Sequence, residues 1–238
     1  MKEQRENMKR LFIGILFFAA SALAQEKVAV DSLKGGEMAL VAWGDSSFYM
    51  DKYEVNNEEF AAFLDARGNE KVDGVYYMEM NSRYAMVDEV DGRFAAVQEF
   101  ARHPAVEVSW RGAAAYCEWA GKRLPMHWEW RYACAGGNGS LYPWGDVYEL
   151  GRANVYGDKD GFVRTAPVGS FPTGANALGL MDMAGNVWEW TQGGDKVEFL
   201  GGGSWVTGHK QTQCYKLADL GGRHSYIRGN TLGFRCAR

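Results

Sequence analysis

Four cysteines, Cys117, Cys134, Cys214 and Cys236, stand behind a leader-like start, and they limit this chain's folds more than any other feature. The start reads as a charged segment, MKEQRENMKR, followed by the apolar run LFIGILFFAASALA. Ala22-Leu23-Ala24 gives the small-x-small pattern at which an exported precursor is cut, so residues 1–24 read as a signal peptide. Met8 is an alternative start with a more basic leader. The apolar run is too short for a membrane anchor, and no cysteine follows the cut to take a lipid. The expected location is therefore secreted or periplasmic, where disulfides persist. Four cysteines then make two bridges in one of three pairings, and spacing alone does not choose.

The stretch GGGSWVTGHKQTQCYK makes the cysteines a question of function. Cys214 in that polar loop is either a nucleophile or a staple. Charge narrows the partners: 26 Lys+Arg against 30 Asp+Glu give a formal net charge of −4. Loss of the leader makes the chain more acidic, which argues against a nucleic-acid binder. The 30 glycines and 9 tryptophans, against only 5 prolines, suggest an irregular backbone stapled by large rings.

Local patterns place several elements. EMALVAWGDSSFYMDKYEV reads as strands near 37–43 and 47–54 around a Gly-Asp turn. Asn56, three residues before Glu59, opens a helix with Phe60, Phe63 and Leu64 on one face. VDGVYYMEM and VDEVDGRFAAV read as hairpins at their Asp-Gly pairs. Ser109 caps a helix over 110–120 that ends at Gly121, and MHWEWRYACAGG is a second helix closed by glycine. From Asn138 to Arg238 no clear period appears, and that half reads as an ordered loop scaffold. No boundary divides the chain, so residues 25–34 form a short linker and 35–238 one domain.

The segments FYMDKYEVNNEEFAAFL, HPAVEVSWRGAAAYCEWAGKRLPMHWEWRYA, YPWGD, ANVYG, TAPVGSFPTGANALGLMDMAGNVWEW, GGGSW and LGFRCAR occur in this order. Together they resemble the sulfatase-modifying-factor family, whose founding members are formylglycine-generating enzymes. The resemblance implies an α+β fold with little regular structure, related to the C-type-lectin type. It also implies the pairs Cys117–Cys236 and Cys134–Cys214, which make Cys214 a staple.

The family's enzymes oxidise a cysteine of a sulfatase with O2, using copper on two cysteines after the Gly-Gly-Ser-Trp motif. The matching positions here are Thr207 and Thr212, and threonine hydroxyls are poor Cu(I) ligands. Copper is accordingly not expected. Cys214 would be catalytic only if the oxidase reading held.

Trp188 and Ser204 match positions that line the enzymes' pocket. The resemblance further implies calcium on Asn154, the Val155 carbonyl, Asp160 and the Phe162 carbonyl. A second set would be Asp182, the Gly185 and Val187 carbonyls, and Glu189. Calcium accepts such mixed oxygen shells. His103, His127, His209 and His224 show no metal-ligand spacing.

Two functions follow as expectations. One is an exported, calcium-stabilised binding or structural module that meets a protein, peptide or glycan of the cell envelope or exterior. The other is a formylglycine-type oxidase.

Overall fold

The computed structural model describes residues 36–157, 160–193, 198–219 and 227–238. The leader, the linker and His224 lie outside the described residues. Strands β1 (Met38–Trp43) and β2 (Ser46–Asp51) pair antiparallel, Met38 opposite Asp51 and Trp43 opposite Ser46. Gly44 supplies the positive φ (55°) that their tight turn requires.

Helix α1 (Asn57–Arg67) starts at a capping box. The Asn56 side chain accepts the Glu59 amide at 2.9 Å, and Glu59 accepts the Asn56 amide at 3.0 Å. Two of the helix-start donors are thereby satisfied, and Phe60, Phe63 and Leu64 are turned into the core.

Two small hairpins follow: β3 (Lys71–Val72) with β4 (Val75–Tyr76), and β5 (Val87–Val90) with β6 (Arg93–Ala96). Each turns on an Asp-Gly pair with positive φ at both residues, Asp73-Gly74 and Asp91-Gly92. Helix α2 (Trp110–Trp119) is capped by Ser109, whose side chain accepts the Gly112 amide. Helix α3 (His127–Cys134) closes the first half.

The second half holds more regular structure than its sequence pattern predicts. Strands β7 (Trp188–Gln192), β8 (Glu198–Gly201), β9 (Leu217–Asp219) and β10 (Leu232–Gly233) form one sheet in the order β10-β7-β8-β9. The β10–β7 pair is parallel and the other two are antiparallel. In β7 the run Glu189, Trp190 and Thr191 is buried without alternation, so the period-2 signal of a half-exposed strand is missing.

Two main cores result. Phe60, Phe63, Tyr116, Trp190 and Phe234 fill the first, between α1, α2 and the sheet. Val41, Met50, Trp130, Leu180 and Met183 fill the second, between the β1–β2 hairpin and α3. Cys117–Cys236 lies in the first core and Cys134–Cys214 in the second. These are the two pairs that the resemblance implies. Among the described residues, no helix is long and apolar enough to cross a membrane.

Candidate functional site

The loop after β8 begins with three glycines. Gly203 has φ 74°, and a side-chain carbon there would meet Thr212 Cγ2 at 2.7 Å and Thr207 Oγ1 at 2.8 Å. Thr207 and Thr212 therefore face one another across Gly203. Each hydroxyl is committed to local backbone. Thr207 Oγ1 donates to the Ser204 carbonyl at 2.9 Å and accepts the Ser204 amide at 2.8 Å. Thr212 Oγ1 donates to the His209 carbonyl at 2.8 Å. Where the resemblance expects two thiolates, the chain has two turn-closing hydroxyls.

Cys214 does not supply the missing thiolate. It is buried, bonded to Cys134 with the two Cα atoms 5.5 Å apart, and no described cysteine is free. Ser204 is fully buried, and its hydroxyl finds no partner among the described residues. Trp188, at the start of β7, packs its half-buried ring against the first core.

Beneath this loop lies a buried charge network. Arg235 donates to both oxygens of Glu189, each at 2.8 Å, and Trp130 Nε1 adds a bond of 2.7 Å to Glu189 Oε2. The remaining guanidinium protons go to the carbonyls of Asp51, Lys52 and Met181. Neither Arg235 nor Glu189 is exposed at all. Nearby, Lys122 donates to Asp51 at 2.6 Å. Glu54 accepts from Asn186 Nδ2 at 2.6 Å and the Val187 amide at 3.3 Å.

Arg235, Glu54, Asn186, Asp51 and Lys122 were not singled out by sequence reasoning. The available signal was an arginine set between two core residues, Phe234 and Cys236. An arginine so placed must be buried and paired.

The first calcium set contains oxygen donors suited to a hard cation. Asn154 is held by its amide nitrogen, which donates to the Arg164 carbonyl at 2.8 Å, so its oxygen is the part left to coordinate. Asp160 Oδ1 accepts the Phe162 amide at 3.0 Å, which fixes that turn. Among the described residues no amide donates to the Val155 or Phe162 carbonyl.

In the second set the Glu189 carboxylate accepts three bonds from Arg235 and Trp130, two on Oε2 and one on Oε1, so one acceptor site on Oε1 is left for an ion. Asp182 keeps one carboxylate oxygen, because Oδ2 accepts the Gly169 amide at 2.6 Å. A side-chain carbon on Gly185 would strike the Asn154 carbonyl at 2.3 Å, so the two sets adjoin. Among the described residues, no three His, Cys, Asp or Glu side chains converge on a metal position. Any ion here would rest largely on carbonyl and amide oxygens.

Burial pushes Asp182 up to about 6, with the Glu189 charge adding to the effect and the Gly169 amide and Arg235 opposing it. Glu54 is held well above the usual carboxylate range by burial and by the charges of Asp182 and Glu189. The folded chain thus takes up protons here that the unfolded chain does not. Stability from these groups falls as pH rises from about 4 through 6. With chelator present, lowering the pH from 7 to 5 should stabilise the protein, Asp182 alone contributing roughly 1 kcal/mol. Asp182→Asn should remove part of that gain. Urea unfolding at both pH values checks this, and equal pH dependence in wild type and Asp182→Asn would contradict it.

A model of the sulfatase-modifying factor enzyme 1-like domain matches residues 33–238. The chain belongs to that family. Inactive C-alpha-formylglycine-generating enzyme 2 of Bos taurus is 40% identical over 163 residues, 61% of this chain and 54% of that protein. Formylglycine-generating enzyme of Mus musculus is 32% identical over 247 residues, 80% of this chain and 65% of that protein. The matches thus span about half to two thirds of those relatives' length. The structure of PvdO from Pseudomonas aeruginosa superposes with a TM-score of 0.65 at 25% identity, covering 89% of this chain and 97% of that one. The family and its mixed α/β fold are therefore shown, and both active and inactive designations occur among the relatives.

Proposed function

We propose that this chain is an exported, calcium-stabilised binding module on the sulfatase-modifying-factor fold, without copper-dependent oxidase chemistry. One observation carries the reading: Thr207 and Thr212 stand across Gly203 with their hydroxyls on backbone, while all four cysteines are bonded in pairs. Cu(I) is a soft ion that needs soft ligands. Two disulfides fit a compartment outside the cytoplasm, which supports export. The partner would be a protein, peptide or glycan of the cell envelope or exterior. Calcium would sit on the Asn154, Val155, Asp160 and Phe162 oxygens. Asp182, the Gly185 and Val187 carbonyls, and Glu189 would form the adjoining set.

The test of chemistry is direct. Purified protein, given Cu(I), O2 and a cysteine-containing sulfatase peptide, should leave the peptide's mass unchanged. An aldehyde mass shift that disappears in Cys214→Ser would return the chain to the oxidases. Calcium is checked separately by melting. An ion that binds only the folded state raises the melting temperature with its concentration. Chelator should lower it in wild type and have less effect in Asp160→Ala. Identical melting with and without chelator would remove calcium from the account.

A further inference from the structure

Helix α3 uses its two faces differently. Trp130, Ala133 and Cys134 face the second core. Trp128 and Arg131 lie away from it and, with Tyr132 at the core's edge, line a cleft of about 320 Å³ with Trp43, Ser140 and Tyr215. That volume is within the range of small-molecule sites.

The aromatic wall is preformed. Trp43 and Trp128 meet edge-to-face, with planes at 63° and ring centroids 4.2 Å apart, and Trp43 stacks on Tyr132 at 5.4 Å. The Tyr132 hydroxyl donates to the Ala42 carbonyl at 2.9 Å, which fixes the ring. Yet Trp43 remains 43% exposed, Trp128 37% and Tyr215 46%. Three large rings gathered at one place and left this open present apolar surface that the fold itself does not cover.

Charge selects the occupant. Among the described residues no carboxylate lines the cleft. Arg131 is exposed and has no ion-pair partner among the described residues, and the Lys216 ammonium lies 5.2 Å from the Tyr215 ring centroid. A cationic ligand, the usual guest of an aromatic cage, would be repelled. An anion is favoured, and a planar guanidinium binds a carboxylate through two parallel bonds. Flat rings beside the Ser140 and Tyr215 hydroxyls suit a ligand with an apolar face and polar edges. A pyranose ring has that form.

We propose that this cleft binds an acidic carbohydrate, with a pyranose face packed on the exposed Trp128 ring and a uronate carboxylate on Arg131. The inference rests on the binding-module reading and supplies its ligand class. The whole chain would be titrated, by calorimetry and tryptophan fluorescence, with tetragalacturonate, its fully methyl-esterified form and an acidic tetrapeptide. Tetragalacturonate should bind saturably and at least tenfold more tightly than the ester or the peptide. Arg131→Gln should abolish the preference for the free acid. Trp128→Ala should weaken both sugars at least tenfold, with the melting temperature retained in both variants.

Four results would overturn the proposal: no tetragalacturonate binding, binding that survives Trp128→Ala, equal binding of acid and ester, or tighter binding of the peptide. The formylglycine assay on the same preparation separates the two claims. Aldehyde formation sinks the module reading, whereas a missing sugar signal without aldehyde sinks only the ligand assignment.

Discussion

Arg235→Met should destabilise the folded chain by about 3–5 kcal/mol. The guanidinium is fully buried, and its protons are spent on Glu189 and on three carbonyls from two other segments. Methionine leaves the Glu189 carboxylate in the core with only Trp130 Nε1 as a neutral donor. The cost is that of an unpaired buried charge more than that of a lost contact. A second substitution distinguishes these. Arg235→Met with Glu189→Gln removes the orphaned charge and keeps an acceptor for Trp130, so the double variant should recover at least half of the loss. Urea denaturation of the three proteins measures it. A double variant no better than the single would mean that Arg235 acts through its carbonyl bonds alone.

Removing the Cys117–Cys236 bridge is the other large expected effect. Its ends are 119 residues apart in sequence, with Cα atoms 5.6 Å apart. In the chain-entropy model a closed loop of that length contributes roughly 4–5 kcal/mol, and measured losses span about 2–5 kcal/mol. Both sulfurs are buried in the first core, so the variant should be Cys117→Ala with Cys236→Ala, which avoids burying a hydroxyl. The bridge ties α2 to the chain end, where Arg123 and Ala237 exchange backbone bonds of 2.8 and 2.7 Å. Its loss should loosen that end as well as lower the unfolding midpoint. Equilibrium unfolding reads the stability, and hydrogen exchange at Ala237 reads the local effect. A midpoint unchanged in the double alanine variant would contradict the assignment.

The legible parts of this fold were those that local chemistry determines. Asp73-Gly74 and Asp91-Gly92 turn the hairpins because a two-residue turn needs two positive φ angles. Asn56 with Glu59 and Ser109 with Gly112 mark helix starts through bonds spanning three residues. The sheet of the second half was illegible for the opposite reason. Its strands are short, the middle of β7 is buried without alternation, and β10 reaches β7 from far along the chain, so nothing nearby announces the pairing.

At the site, the exchange of thiol positions for Thr207 and Thr212 was legible because a motif fixed the register. The Arg235–Glu189 pair was not, since 46 residues separate its members and charge alone does not say which carboxylate an arginine will meet. Glu189 was expected as a calcium ligand. Its side chain accepts from Arg235 and Trp130, neither of which its own segment announces.

A module without oxidase chemistry requires that no thiol be available. The direct measurement is a thiol titration of the chain unfolded in denaturant without reductant, followed by peptide mapping. Zero of the four cysteines should react, and the map should give Cys117–Cys236 and Cys134–Cys214. A reactive Cys214, or a Cys117–Cys134 peptide, would contradict the account and restore a thiol to the loop beside Thr207 and Thr212.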